Sequence, residues 1–253
     1  MSAFLRVEGV NRRFGGYLAL NDVSCEVARG HVHALIGPNG AGKTTLFNII
    51  SGVLRPTAGR IFLDGRDYTG LRPDGVSRLG VARNFQQVRL VRQLSAVENV
   101  MIGCHAGIYR GVAGNLAEFF GLGGAEKAAR EKSREMLAFV GMAGKAEVPV
   151  DQLTLVDQRR LEVARALASE PSLLLLDEPA AGMNPTELDE LKTLIQAIRD
   201  RGITIVLVEH HMRLVMSIAD RITVLSAGTV IASGTPSEVR QDAAVISAYL
   251  GTA

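Results

Sequence analysis

The stretch GPNGAGKTT, Gly37 to Thr45, limits what this chain can fold into more than any other part of it. It fits the pattern G-x-x-x-x-G-K-[ST]. The strand-like segment HVHALI precedes it, and the helix-like segment KTTLFNIIS begins inside it. Strand, glycine-rich turn and helix in that order is the setting in which such a loop cradles phosphates. Glycine lets the backbone N–H groups curl around an anion, and the helix start adds a positive dipole end. The cradle is expected to run through Gly37, Pro38, Asn39, Gly40, Ala41 and Gly42. Lys43 is expected to reach the β- and γ-phosphates, Thr44 to offer its hydroxyl to Mg²⁺, and Thr45 to contact the α-phosphate.

A second segment, LLLLDEP (Leu173 to Pro179), supplies the complementary chemistry. Asp177 ends an apolar run, where a buried carboxylate is costly unless it serves an ion or hydrogen bonds. Beside a phosphate loop, that position steers Mg²⁺. Glu178 follows, placed to polarise a water that attacks the terminal phosphate. By itself the acidic pair has a plainer reading, two acids favoured by the positive end of a helix.

The rest of the chain supplies the frame. SLLLLDE and TIVLVEH are nearly unbroken apolar runs, as in strands buried on both faces of a parallel sheet. Between them Asn184, Pro185 and Glu187 spell a capped helix start. Leu188, Leu191, Ile195 and Ile198 follow at helical spacing, and Gly202 stops the helix. The first third reads as short strands: AFLRVEGV, ALNDVSCEV, HVHALIG and RIFLDG. From Ser95 to Leu167 the texture is helical. GAEKAAREKSREMLAFVG sets Ala128, Met136, Leu137 and Val140 against a charged face. RITVLSAGTVIASG reads as a final hairpin, and Thr235, Pro236 and Glu238 open a closing helix. Lys and Arg number 28 against 26 Asp and Glu, for a net charge of +2 without any basic block. The electrostatic footprint of a nucleic-acid partner is therefore missing. Cys25 and Cys104 have no metal-ligand spacing and read as free thiols in a reducing compartment. The opening MSAFLRVEGVNRRF lacks a signal peptide's apolar run. No apolar run approaches the ~20 residues of a spanning helix, so work at a membrane would need other subunits.

The segments GPNGAGKTT, RNFQQVRLV, QRRLEVARAL, LLLLDEPAAGMNP and VLVEHHM, in that order, resemble the ATP-binding subunits of ABC transporters over essentially the whole chain. The resemblance implies an α/β fold, a P-loop NTPase of ABC type. It implies one domain over 1–253, with an N-terminal antiparallel β subdomain and a helical subdomain inserted at roughly 88–168. It also implies ATP and Mg²⁺. By it, Gln86 touches Mg²⁺ and senses a membrane subunit, and His210 holds the γ-phosphate and attacking water. Phe14 stacks on adenine. His211 stands beside His210, and Tyr17 is an alternative to Phe14. Asn184 stands where the family more often has Asp. FQQVRLVRQLSAVENVMIG, DQRRLEVARAL, DEPAAGMNPTE, VEHHMRLVMSIADRITVL and the ending AYLG resemble the subgroup that serves branched-chain amino acid import. So does the glycine-rich insertion at 111–124. The implied partners are a second ATP-binding subunit, identical or different, in a head-to-tail dimer, and two membrane-spanning permease subunits. A periplasmic binding protein would act indirectly. The implied place is the cytoplasmic face of the inner membrane, and no nucleic acid is implied. Two alternatives remain: a subunit serving another solute or a lipid, or a non-transport ABC ATPase.

One stretch departs from the family. Where it carries a Leu-Ser-Gly-Gly-Gln type sequence, this chain has Leu153, Thr154, Leu155, Val156 and Asp157. The resemblance implies that Thr154, Leu155 and Val156 contact ATP held by the partner subunit. Thr154 keeps a hydroxyl, and with Asp157 it forms a capping pattern, so a helix still starts here. Backbone N–H groups at a helix start do not depend on side chains. Val156 places a β-branched side chain where a phosphate would approach, and Asp157 is expected to add a repelling charge. The other reading is a capped helix with no phosphate role.

Overall fold

The computed structural model describes residues 3–84, 90–108 and 124–250. The chain divides into two compact units, residues 1–79 with 173–253, and residues 80–172.

The first unit opens on a hairpin of β1 (Leu5–Phe14) and β2 (Tyr17–Val27). The hairpin is half-buried, with Leu5, Val7 and Val10 buried on β1 and Leu20, Val23 and Val27 on β2, and register shifts after Val7 and Val10 break strict alternation. Next come β3 (Val32–Ile36) and α1 (Lys43–Ile50). β4 (Ala58–Leu63) then returns to pair with β1, and β5 (Arg66–Asp67) pairs with β4. The result is an antiparallel sheet in the order β2-β1-β4-β5. A short helix, α2 (Pro73–Arg78), ends this stretch.

The second unit holds a short strand, β6 (Val81–Arg83), and the helices α3 (Ala96–Ile108), α4 (Gly124–Phe139) and α5 (Leu155–Ala168). α3 crosses α5 at Gly103, where a Cβ would lie 2.1 Å from the Arg165 carbonyl oxygen. On α4 the structure corrects the sequence reading. Ala128 is exposed, and Ala129, Ser133, Met136 and Leu137 are buried. Those four positions fall on one helical stripe with Val140, and Ala128 lies off it. Lys127 and Glu131 approach to 4.0 Å on the solvated face.

The chain then re-enters the first unit. β7 (Leu173–Asp177), α6 (Pro185–Asp200), β8 (Thr204–Val208), α7 (Met212–Ile218) and β9 (Arg221–Ser226) follow in turn. β10 (Thr229–Gly234), α8 (Pro236–Gln241) and α9 (Ala243–Leu250) complete it. Within this unit the core sheet runs β10-β9-β3-β8-β7. β9, β3, β8 and β7 are parallel, and β10 is antiparallel to β9. Every residue of β3, β7 and β8 is buried, as their unbroken apolar runs require. α6 starts as its sequence dictates. Asn184 Oδ1 accepts from the Glu187 amide at 3.0 Å, and Glu187 returns a bond to the Asn184 amide at 2.8 Å. The closing helix is two helices, because Asp242 leaves helical geometry and its carboxylate caps the amides of Ala244 and Val245. Leu35 and Asp177 both pair with Val208, so β3, β8 and β7 end together at one edge of the sheet. Ligands of open α/β sheets bind at such an edge, outside the carboxyl ends of the strands.

Candidate functional site

The loop after β3 is shaped by backbone that only glycine can adopt. Gly37 has φ +148, and a Cβ on it would lie 2.0 Å from the Leu225 carbonyl oxygen. Gly42 has φ +101, and a Cβ there would meet Leu20 at 2.7 Å and the Ala19 carbonyl oxygen at 2.8 Å. The loop is thus pressed against β2 on one side and β9 on the other. The Gly228 amide, in the turn after β9, donates to the Ala41 carbonyl at 3.1 Å. Asn39, Gly40 and Thr44 are exposed, so the mouth of the loop and the first turn of α1 face outward. Lys43 is buried and turned back into the loop, where its ammonium donates to the carbonyls of Gly37 at 2.6 Å and Pro38 at 2.9 Å. Burial holds its pKa below the ordinary lysine value, and the charges of Glu178 and Asp177 push the other way. Those two acids therefore share the field of the loop lysine.

Asp177 is the last residue of β7 and is 3% exposed. Glu178 follows at φ +48, a left-handed backbone that a residue with a side chain rarely adopts. Its amide donates to the Val208 carbonyl at 2.9 Å, so the turn is fixed to the end of β8. Strain held in place by its surroundings is a mark of functional positions. His210, after β8, lies with Nδ1 4.0 Å from Glu178 Oε1, and its side chain is more exposed than that of Glu178. His211 packs beside His210, the ring centroids 5.8 Å apart.

Phe14 and Tyr17 flank the β1–β2 turn as a cross-strand pair, 43% and 63% exposed. The Arg12 guanidinium lies 4.5 Å from the Phe14 ring centroid, so a base stacking on Phe14 would use the ring's other face. Gln86 lies outside the described residues, as does nearly all of the glycine-rich insertion.

Thr154, Leu155 and Val156 belong to the second unit, at the start of α5. Here the structure corrects the expected role of Asp157. Its carboxylate is turned inward, where Oδ2 accepts from Thr154 Oγ1 at 2.7 Å, the Thr154 amide at 3.3 Å and Lys145 Nζ at 2.7 Å. Burial works against the anion, but the bonds from Lys145 and Thr154 and the Lys145 charge outweigh it. The carboxyl stays below its usual pKa. The negative charge is thus matched by a lysine instead of being presented to an incoming phosphate. Leu155 is 56% exposed and Val156 half-buried.

Two contacts had no counterpart in the sequence reading. Glu209 is 1% exposed, and its carboxylate bonds the loops after β7 and β8. In the sequence it shows only as an acid at the end of an apolar run, as Asp177 does. Burial raises the pKa of the Tyr249 phenol in α9, and the backbone of Gly37 beside it works the other way. The ending AYLG carried that residue, but nothing in it pointed to the loop.

The ABC transporter family model matches residues 20–181. The chain belongs to the ABC transporter family. It is an ATP-binding and ATP-hydrolysing cassette, and its fold is that of ABC cassettes of known structure. The ADP conformation of MJ1267, an ATP-binding cassette of an ABC transporter, superposes with a TM-score of 0.85 at 27% identity. It covers 99% of this chain and 100% of that one. A second family model, described as branched-chain amino acid ATP-binding cassette transporter, matches residues 229–253 of the cassette. Curated relatives match along their full length. The high-affinity branched-chain amino acid transport ATP-binding protein LivG of Salmonella typhimurium is 44% identical over 98% of both chains. BraF of Pseudomonas aeruginosa, with the same description, is 43% identical over 98% of both. Another related cassette, MJ0796, has been solved as a dimer (TM-score 0.75, 25% identity). Among the described residues, no helix is long and apolar enough to cross a membrane.

Proposed function

We propose that this cassette powers an importer of branched-chain amino acids, hydrolysing ATP while separate membrane-spanning subunits carry the solute. The observation that carries the reading is the 43–44% identity to LivG and BraF proteins over 98% of both chains. The match of residues 229–253 to a branched-chain amino acid cassette model supports it independently of the catalytic motifs. The cassette would sit peripherally on the cytoplasmic face of the inner membrane, held there by the permease subunits. A periplasmic binding protein would deliver the solute.

The chemistry follows from the first unit. Lys43 donates its ammonium to the carbonyls of Gly37 and Pro38. Bound ATP offers it the β- and γ-phosphate oxygens instead, a charge-assisted exchange. The residues present fit Mg²⁺. Asp177 is a buried carboxylate at the strand end, and Thr44 is an outward hydroxyl on the first turn of α1. Both are hard oxygen ligands, and Mg²⁺ takes only one or two of these alongside phosphates and waters. When bound, Mg²⁺ neutralises charge on the phosphates. Glu178 accepts the proton of the attacking water, and His210, 4.0 Å away, steadies the γ-phosphate. Gln86 is assigned by resemblance as a further Mg²⁺ contact. Phe14 would hold adenine on the face that Arg12 leaves open. In a head-to-tail dimer, Thr154, Leu155 and Val156 would meet the partner's ATP.

Uptake tests the substrate. Cells lacking this chain should lose high-affinity uptake of leucine, isoleucine and valine, and the wild-type gene should restore it while a Glu178→Gln copy does not. Unchanged uptake of all three, with loss of another solute, would assign the cassette elsewhere.

A further inference from the structure

Glu209 follows β8 directly and is 1% exposed. A carboxylate so placed costs several kcal/mol unless its oxygens are served. Among the described residues the partners are backbone amides. Oε1 accepts from Ala180 N at 2.7 Å, and Oε2 accepts from His210 N at 3.0 Å and His211 N at 3.2 Å. The donors lie on two loops. Ala180 is two residues beyond Glu178, on the segment that runs to the Asn184 cap of α6. The other loop carries His210. At their roots the loops are tied by the Asp177–Val208 pairing and by the Glu178 amide on the Val208 carbonyl. Further out, the Glu209 carboxylate ties them again. The two side chains that approach across this gap are Glu178 and His210, at 4.0 Å.

We propose that Glu209 is a positioning residue, whose buried carboxylate clamps the loop after β7 to the loop after β8 and so sets His210 against Glu178. The residue type suits the task, because an ionised carboxylate accepts on both oxygens and donates nothing. A glutamine of the same shape would turn an N–H₂ group towards amides that also donate. The clamp also makes the segment 179–184 and His210 move together, so a displacement of one is felt by the other. The proposal rests on the hydrolytic roles given to Glu178 and His210.

The test is steady-state ATP hydrolysis by the assembled transporter with Glu209→Gln, His210→Ala, the double variant and Glu209→Asp. Glu209→Gln should lower kcat about 10- to 100-fold, the scale of a small misplacement of reacting groups. KM for ATP should stay within about three-fold, because the phosphate loop is untouched. The double variant should turn over no more slowly than His210→Ala alone, since Glu209 acts through His210. Glu209→Asp keeps both acceptors on a shorter stem and should fall between wild type and Glu209→Gln; it carries the test if Glu209→Gln does not fold. Unchanged kcat, a parallel loss of ATP affinity, or full additivity with His210→Ala would overturn the clamp. Full turnover in His210→Ala would overturn the role of His210, and the clamp with it.

Discussion

The loop at Gly37–Thr45 and the helix start at Thr154–Asp157 are both read as phosphate contacts, yet they are built in opposite ways. The first is open. Gly37 and Gly42 hold positions that no side chain could occupy, and its lysine donates to the carbonyls of Gly37 and Pro38. The second is closed on itself. The Thr154 hydroxyl and the Asp157 carboxylate satisfy one another in a capping box, Lys145 matches the charge, and Val156 stands where the family resemblance implies a glycine. The amides of Leu155 and Val156 have no partner within their own helix, so some capacity for an anion survives. On the proposed reading, the difference means that the chain grips its own nucleotide with an open loop and offers its partner's a helix start already satisfied by its own side chains.

Three changes probe that contrast, in falling order of effect. Lys43→Ala removes a charge-assisted contact to two phosphates and should abolish tight MgATP binding, measured by calorimetry on the isolated chain. Unchanged affinity would mean that the open loop is not the cradle. Glu178→Gln should leave MgATP binding largely intact and lower turnover by about 10²-fold or more in the assembled complex. Near-normal turnover would take the general base away from this position. Asp157→Ala should cost about 1 kcal/mol of stability at neutral pH, the usual value of a lost cap. The Asp157 carboxyl titrates below its ordinary range when folded, so its contribution is complete above about pH 4 and is lost as pH falls through the lower folded value. The gap in melting temperature between wild type and Asp157→Ala should therefore close in acid. A rise in ATP-dependent dimerisation of Asp157→Ala would show that the carboxylate does repel phosphate despite Lys145.

Much of this was legible in the sequence, because the decisive features are local. The phosphate loop, the Asn184, Thr154 and Thr235 caps and the buried strands each follow from residue type and spacing. What escaped depends on where distant segments meet. Asp157 reads as a bare negative charge until Lys145 is seen 2.7 Å away. Glu209 reads as a strand-end acid until Ala180 and the histidine amides converge on it. Ala128 and Ala129 differ only in helical phase, which the pattern fixed to within one residue. The assignment of Gln86 falls outside the described residues.

On the proposed reading, the helix start at Thr154 still meets the partner's nucleotide, and Val156 limits that contact. Val156→Gly should relieve crowding and let the backbone approach the γ-phosphate, a gain of about 1 kcal/mol, comparable to one recovered hydrogen bond. Glycine's flexibility offsets part of that at the start of a helix. The measurement is the dimerisation constant of wild type and Val156→Gly, with the partner subunit present, in MgATP and in MgADP. The account predicts tighter association with ATP only, by up to about five-fold. Weaker association with both nucleotides would contradict it, leaving Val156 as packing at the start of an ordinary helix that never touches nucleotide.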